Sequence, residues 1–178
     1  MKALLLNGSP RQGNTHVALE ALKKGFENIK GLEVGELAAT DVDVSPCVAC
    51  DTCGEAGKCI FDDDTNEVID AIVEADMIVF ATPVYWWGVT AQLKLIIDKM
   101  YSKCDQLKEC NKKIGIIAIG EAEQEDPQYE LIAKQFECIC GYLGWEIVFS
   151  KSYTAGDAGE LAENKDAMAE LKGLWETI

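Results

Sequence analysis

The sequence predicts a three-layer α/β protein in which five parallel strands form a doubly wound sheet in the order 2-1-3-4-5. Short apolar runs alternate along the chain with longer stretches whose apolar residues recur at helical spacing. Strands that alternate with helices form right-handed βαβ units, so helices cover both faces of a parallel sheet. The chain has 178 residues, 48% of them hydrophobic, which is enough for one stable core. We therefore expect a single domain over residues 1–178, with a cysteine-rich loop at about 45–64.

Five segments have the pattern of strands and five have the pattern of helices. The first predicted helix, for example, places Val17, Leu22 and Phe26 on roughly one side. Asp64 and Glu67 have the spacing of a capping box at the start of the second helix. The predicted strands are Lys2–Asn7, Glu33–Leu37, Asp76–Ala81, Lys113–Ile119 and Trp145–Tyr153. The predicted helices are Thr15–Ile29, Thr65–Glu74, Val89–Tyr101, Gln128–Leu143 and Asn164–Thr177.

The charge of the chain limits its partners. With 31 acidic and 16 basic side chains, the formal net charge is −15, and such a surface repels nucleic acid and anionic membranes. The apolar stretch Ala3–Leu6 is far too short for a signal sequence or a membrane span. We expect a cytoplasmic protein with no nucleic-acid or membrane partner, in which the eight cysteines do not form a disulfide framework.

Four cysteines lie within thirteen residues in the spacing C-x2-C-x2-C-x5-C: Cys47, Cys50, Cys53 and Cys59. They fall in a connection of about 27 residues, and a loop of that length inside a domain is usually functional or cross-linked. Thiolates converging from a short, tightly wound loop are typical ligands of an iron–sulfur cluster. Free thiols or a labile disulfide, a structural zinc and simple packing remain alternatives. We interpret Cys104, Cys110, Cys138 and Cys140 as structural.

The loops that follow the strands of a parallel sheet all emerge at its carboxyl edge, where ligands bind. The first of these loops runs from Gly8 to Asn14 and leads directly into a helix. Its glycines permit close backbone approach, and the helix start supplies free N–H groups and a positive dipole end. Together with the fixed charge of Arg11, the loop predicts a binding site for one phosphate; the alternative is an ordinary turn and helix cap.

Two further loops at this edge are informative. Thr82–Gly88 carries three adjacent aromatic residues, Tyr85, Trp86 and Trp87, which suit stacking on a flat ligand or an interface between subunits. The acidic loop that begins at Gly120 and Glu121 indicates mainly a solvated surface. His16, the only histidine, is expected at the surface or at a helix cap.

The motif Gly8-Ser9-Pro10-Arg11-x-Gly13-Asn14-Thr15, the run Pro83-Val84-Tyr85-Trp86 and the helix with Gln92-Leu93-Lys94 and Asp98-Lys99 together resemble the NADPH-dependent FMN reductase family, which has a flavodoxin-like fold. The cysteine loop, followed by Asp62-Asp63-Asp64, resembles the iron–sulfur flavoprotein branch of that family.

This resemblance implies an FMN whose phosphate is bound by the first loop and whose ring lies along the third, near a contact of a homodimer or homotetramer. It also implies a [4Fe–4S] cluster on Cys47, Cys50, Cys53 and Cys59. No side chain is expected to be catalytic, because the flavin carries the chemistry. The residues implied for FMN binding are Ser9, Arg11, Gly13, Asn14, Thr15, Thr82, Pro83, Val84, Tyr85, Trp86, Trp87, Gly88, Gly120 and Glu121.

The expected function is a flavin-dependent oxidoreductase that passes electrons between FMN and the cluster, with NAD(P)H as a candidate donor. One alternative is a cluster-free NAD(P)H-dependent FMN or quinone reductase with free cysteines. The other is a non-enzymatic, flavodoxin-like electron carrier that serves a partner such as ferredoxin.

Overall fold

The central element of the structure is a sheet of five parallel strands in the order β2-β1-β3-β4-β5, which confirms the predicted fold. The structure is a computed structural model that describes all 178 residues. The strands are β1 (Lys2–Asn7), β2 (Glu33–Ala38), β3 (Met77–Pro83), β4 (Lys113–Gly120) and β5 (Glu146–Thr154).

The five predicted helices, four in the βαβ connections and one after β5, agree with the observed ones to within a few residues, and two short helices are additional. The α-helices are α1 (Asn14–Phe26), α2 (Cys53–Ala56), α3 (Thr65–Glu74), α4 (Ala91–Lys99), α5 (Cys104–Glu109), α6 (Pro127–Leu143) and α7 (Lys165–Gly173). Short 3-10 turns cover Met100–Lys103, Glu160–Glu163 and Leu174–Thr177. The predicted helices 89–101 and 164–177 are therefore each a shorter α-helix followed by a 3-10 turn. None of the helices combines the length and the apolar character needed to cross a bilayer.

The core consists of two apolar layers, one on each face of the sheet. Alternate residues of β1 belong to opposite layers: Leu4 and Leu6 pack with α3, α4 and α6, whereas Leu5 packs with α1 and α7. This alternation follows from the two-residue period of a strand. Burial on both faces explains why β3 is apolar along nearly its whole length.

The predicted capping box at α3 is wrong. Asp64 does occupy the N-cap position, but its side chain makes no capping hydrogen bond. Its carboxylate accepts a hydrogen bond from the backbone N–H of Asp43 instead, and Asp63 accepts one from the backbone N–H of Thr65. The acidic residues before α3 thus fix the path of the preceding loop.

Candidate functional site

A cleft of about 140 Å³ lies at the carboxyl edge of the sheet. It is formed by the loops that follow β1, β3, β4 and β5. Nine of the fourteen residues expected to bind FMN line it, whereas Gly13, Thr82, Trp86, Trp87 and Gly88 do not. The lining residues are Ser9, Arg11, Asn14, Thr15, Pro83, Val84, Tyr85, Ile119, Gly120, Glu121, Ala155 and Gly156.

The first loop presents a positive, hydrogen-bonding surface to this cleft. The N-terminus of α1 follows Gly13 and has no side-chain cap, so the N–H groups of its first turn are available to an anion. The Ser9 hydroxyl donates to the carbonyl of Arg11 at 2.8 Å, which keeps the loop tightly folded. The exposed Arg11 guanidinium reaches across the cleft to the carbonyl of Gly156 at 3.2 Å.

Asn14 was expected to contact FMN, but its side chain makes hydrogen bonds within the protein. Its amide nitrogen donates to the carbonyl of Asp157 at 2.8 Å, and its amide oxygen accepts from the N–H of Leu161 at 3.1 Å. The buried Asn14 side chain therefore ties the first loop to the segment after β5, and only its backbone N–H remains for a ligand. The segment after β5 was missed by the sequence analysis, although it follows a strand at the same edge as the other loops.

The first and third loops are held together by buried threonines. The Thr90 hydroxyl donates to the carbonyl of Gly8 at 2.6 Å and caps α4 by accepting from the N–H of Leu93 at 3.2 Å. The Thr82 hydroxyl donates to the carbonyl of Pro83 at 2.8 Å and accepts from the N–H of Thr90 at 3.2 Å. Thr82 thus shapes the cleft without lining it.

The aromatic residues of the third loop form a tight two-residue turn. Tyr85 and Gly88 exchange both backbone hydrogen bonds, at 3.0 and 3.1 Å. Trp86 and Trp87 between them have φ angles of 49° and 59°, the left-handed backbone of a type I′ turn, which normally contains Asn and Gly. The turn leaves Trp86 92% exposed and Trp87 49% exposed. Only Tyr85 of the three aromatics faces the cleft.

The start of α6 places a buried polar group, which the sequence analysis missed, against the end of β4. The amide nitrogen of Gln128 is buried and has no hydrogen-bond partner. It lies so close to Gly120 that a Cβ there would be 2.6 Å from it and 3.0 Å from the Tyr129 hydroxyl. Position 120 therefore accepts only glycine without a shift of its neighbours, because the Gln128 amide and the Tyr129 hydroxyl fill the space beside it. Glutamine in the first turn of a helix gives no recognisable sequence signal.

The four clustered cysteines line a separate cavity of about 570 Å³. All of their thiols are free. No three His, Cys, Asp or Glu side chains converge closely enough to hold a single metal ion. Around a [4Fe–4S] cluster, in contrast, each thiolate binds a different iron. The four thiols therefore need to surround one cavity and do not need to converge on a single point.

The backbone of the cysteine loop is tightly wound. Ala49 and Asp51, on either side of Cys50, have φ angles of 53° and 58°, which non-glycine residues adopt rarely. The side chain of Asn66 holds both the N–H and the carbonyl of Cys59 at 2.9 Å. These constraints direct the four thiols towards one space.

The thiols in this loop differ in acidity. Hydrogen bonds from the backbone and the side chain of Thr52 lower the pKa of Cys50, whereas burial raises the pKa of Cys53. Cys50 is therefore the more readily available thiolate of the two. Outside the loop, burial raises the pKa of Cys140 to about 11, which agrees with a structural role for that residue.

Helix α4 joins the two sites. Its N-cap, Thr90, contacts the first loop of the cleft, and its last residue, Lys99, lines the cysteine cavity. At 1.5 Å per residue, the helix is about 14 Å long. The cysteine loop follows β2 and was therefore expected, like the other loops after strands, at the carboxyl edge, but the cysteine cavity lies against the far end of α4.

Comparisons with known proteins agree with this geometry. The model of the NADPH-dependent FMN reductase family matches residues 1–136. An iron–sulfur flavoprotein of Methanocaldococcus jannaschii is 38% identical over 122 residues, which are 67% of this chain and 62% of that protein. An iron–sulfur flavoprotein of Archaeoglobus fulgidus is 40% identical over 101 residues, which are 56% of this chain and 46% of that protein. The chain thus matches about half of the length of these relatives.

A solved structure shares the fold over the whole chain. Smu.1420 from Streptococcus mutans has a TM-score of 0.72 and 17% identity, and the superposition covers 100% of both chains. At this identity the likeness concerns the fold alone. The family match covers more than half of the residues, including the cysteine loop and four strands of the sheet. The chain therefore belongs to the NADPH-dependent FMN reductase family.

Proposed function

We propose that this protein is an FMN-dependent oxidoreductase that also holds a [4Fe–4S] cluster, and that it passes electrons between the two groups. The observation that carries the proposal is the presence, on one chain, of a cleft at the carboxyl edge beside Arg11 and an uncapped helix start, and of a cavity lined by four free thiols. Bound FMN would supply hydride and single-electron transfer, and a cluster would supply single-electron transfer.

The cleft fits a flavin mononucleotide in three respects. The uncapped start of α1 and the adjacent Arg11 suit a phosphate. The backbone of Gly120 and Glu121, which line the cleft, suits a polar ring edge. Tyr85 and Pro83 supply an apolar wall. The residues of this chain thus bind and orient the group; none of them needs to move a proton.

The cysteine cavity fits a cluster through its donor set. Cys47, Cys50, Cys53 and Cys59 are the proposed ligands, and the names of the two relatives described above support this assignment. NADPH is the proposed electron donor, on the basis of the family description.

We further propose that the protein is a homo-oligomer, either a dimer or a tetramer. Trp86 and Trp87 project from the turn beside the cleft, and aromatic residues in such positions are typical of interfaces. A groove of about 320 Å³ between α4 and α6, lined only by apolar residues such as Ile97, Ile139 and Tyr142, supports a second contact with another copy. Sedimentation of the wild-type protein and of Trp86→Ala tests this proposal, which fails if both are monomers at micromolar concentration.

The role of the cleft can be tested by comparing FMN with riboflavin, which lacks the phosphate. Arg11→Ala should weaken FMN binding roughly tenfold or more, because a charge-assisted contact is lost, and should leave riboflavin binding nearly unchanged. Lys24→Ala, at the opposite end of α1, is the matched control. Equal losses for FMN and riboflavin in Arg11→Ala would contradict the phosphate site.

The cysteine assignment needs a separate experiment. Protein purified without oxygen should contain iron and acid-labile sulfide. Cys50→Ala should lose both and keep its FMN, whereas Cys138→Ala, an exposed cysteine outside the loop, should keep all three. Wild-type protein that holds FMN but never iron would instead be a cluster-free FMN or quinone reductase.

A further inference from the structure

Lys99 is an unusual residue in the wall of the cysteine cavity. It is the last residue of α4, and its side chain is almost completely buried, with only 2% of the residue exposed. Lysine is almost never buried to this extent unless its charge is paired. Among the residues that line the cavity it is the only cation.

The ammonium group of Lys99 has no carboxylate partner. None of the ion pairs in the structure includes it, and the neighbouring Asp98 pairs with Lys94. Asp51 and Asp98 also line the cavity, but neither comes within 4.0 Å of Lys99 Nζ. Instead, Nζ lies 3.3 Å from Cys59 Sγ and 4.0 Å from the centre of the Phe61 ring.

These contacts do not balance the cost of burying the charge. Removing an ammonium group from water is costly, whereas a cation–π contact is a much smaller gain and a thiol is a weak acceptor. The environment of Lys99 therefore lacks a negative charge, and its side chain lines the cavity that the four cysteines surround.

A [4Fe–4S] cluster in this cavity would supply that charge. With four cysteinate ligands, the oxidised cluster and its ligands carry a net charge of −2. Uptake of one electron from an external reductant changes this charge to −3, and no bond or proton is exchanged. A fixed positive charge nearby stabilises the more negative state more strongly. It therefore raises the reduction potential, which depends on net charge and on hydrogen bonds to the sulfurs.

We propose that Lys99 is the counter-charge of the cysteine site, and that its ammonium group beside Cys59 raises the reduction potential of the bound cluster. This inference rests on the proposed function, because it requires a cluster on Cys47, Cys50, Cys53 and Cys59. Lys99 would not be a ligand of the cluster; its positive charge would stabilise the more negative, reduced state.

The test is a redox titration, with a mediator-coupled electrode, of anaerobically reconstituted wild-type protein and of three variants. Lys99→Met keeps the length of the side chain and removes the charge, so the equilibrium constant for reduction should fall at least tenfold, or about 59 mV for one electron. Lys99→Arg keeps the charge and should shift it far less. Lys94→Met removes the same charge from the exposed face of the same helix and should leave the potential unchanged.

If Lys99→Met does not retain a cluster, its potential cannot be measured, and the iron content per chain of the other variants decides instead. In that case Lys99→Arg and Lys94→Met should still bind iron, and their retention would support the counter-charge. If Lys99→Met holds a full cluster at the wild-type potential, the inference is overturned while the proposed function stands. If wild-type protein takes up no cluster on reconstitution, the proposed cluster and the inference both fail.

Discussion

Because Trp86 and Trp87 have left-handed φ angles, we expect the backbone of this turn beside the cleft to be strained. The left-handed conformation costs an ordinary residue about 1–2 kcal/mol, whereas Asn adopts it readily. Trp86 is 92% exposed, so its replacement uncovers little apolar surface: about 20 Å² of a large aromatic side chain, or roughly 0.5 kcal/mol. Trp86→Asn should therefore stabilise the folded chain by about 1 kcal/mol.

Thermal denaturation of the flavin-free protein at low concentration measures this effect without a contribution from ligand or self-association. For a chain of this size, about 1 kcal/mol corresponds to an increase in Tm of roughly 2–4 °C. The matched control is Trp86→Ala, which removes the same ring but lacks the side-chain amide that lets Asn hydrogen-bond the local backbone in this conformation, so it keeps the strain. If Trp86→Asn and Trp86→Ala have the same Tm, the turn is not strained and the reasoning is refuted.

Three further predictions concern other positions. Gly120→Ala should reduce FMN affinity at least tenfold in calorimetric titration, because its Cβ would meet Gln128 at 2.6 Å and displace the end of β4 that lines the cleft; Gly141→Ala, whose Cβ meets nothing within 4 Å, should bind normally. Gly115→Ala should lower the free energy of unfolding by about 1–3 kcal/mol or more, seen as a lower denaturant midpoint, because its Cβ would lie 2.2 Å from the Phe149 ring; an unchanged midpoint would show that the ring moves freely. Partial burial opposes ionisation of Asp63, but hydrogen bonds from Thr65 and Ser45 outweigh it and lower its pKa to about 2. The resulting stabilisation, on the order of 1 kcal/mol, is complete above the unfolded pKa and lost as the pH falls from about 4 to about 2. Asp63→Asn should therefore be less stable than the wild type at pH 7 and equally stable near pH 2, and a difference independent of pH would contradict this.

The predicted strands and main helices were confirmed because their apolar patterns reflect burial on the two faces of the sheet. β3 illustrates this: an unbroken apolar run indicates a strand covered on both sides, and its burial follows. The rule that ligands bind at the carboxyl edge also located most of the cleft, since it depends only on strand direction.

Features that depend on distant contacts were not predictable. Asn14 has the sequence signature of a phosphate-binding loop, but its side chain is bonded to Asp157 and Leu161, which lie more than 140 residues away. The left-handed turn at Trp86 and Trp87 could not be recognised in the sequence, because tryptophan is not among the residues that favour such a turn. The burial of Lys99 was equally hidden, since a lysine at a helix end normally lies at the surface.

The central claim is tested most directly by the FMN content of protein purified without oxygen and then supplied with FMN. We expect one FMN per chain, together with four irons and four sulfides if the cluster forms. Protein that stays colourless and takes up no FMN, even with excess flavin, would contradict the assignment of the cleft and, with it, the proposed function.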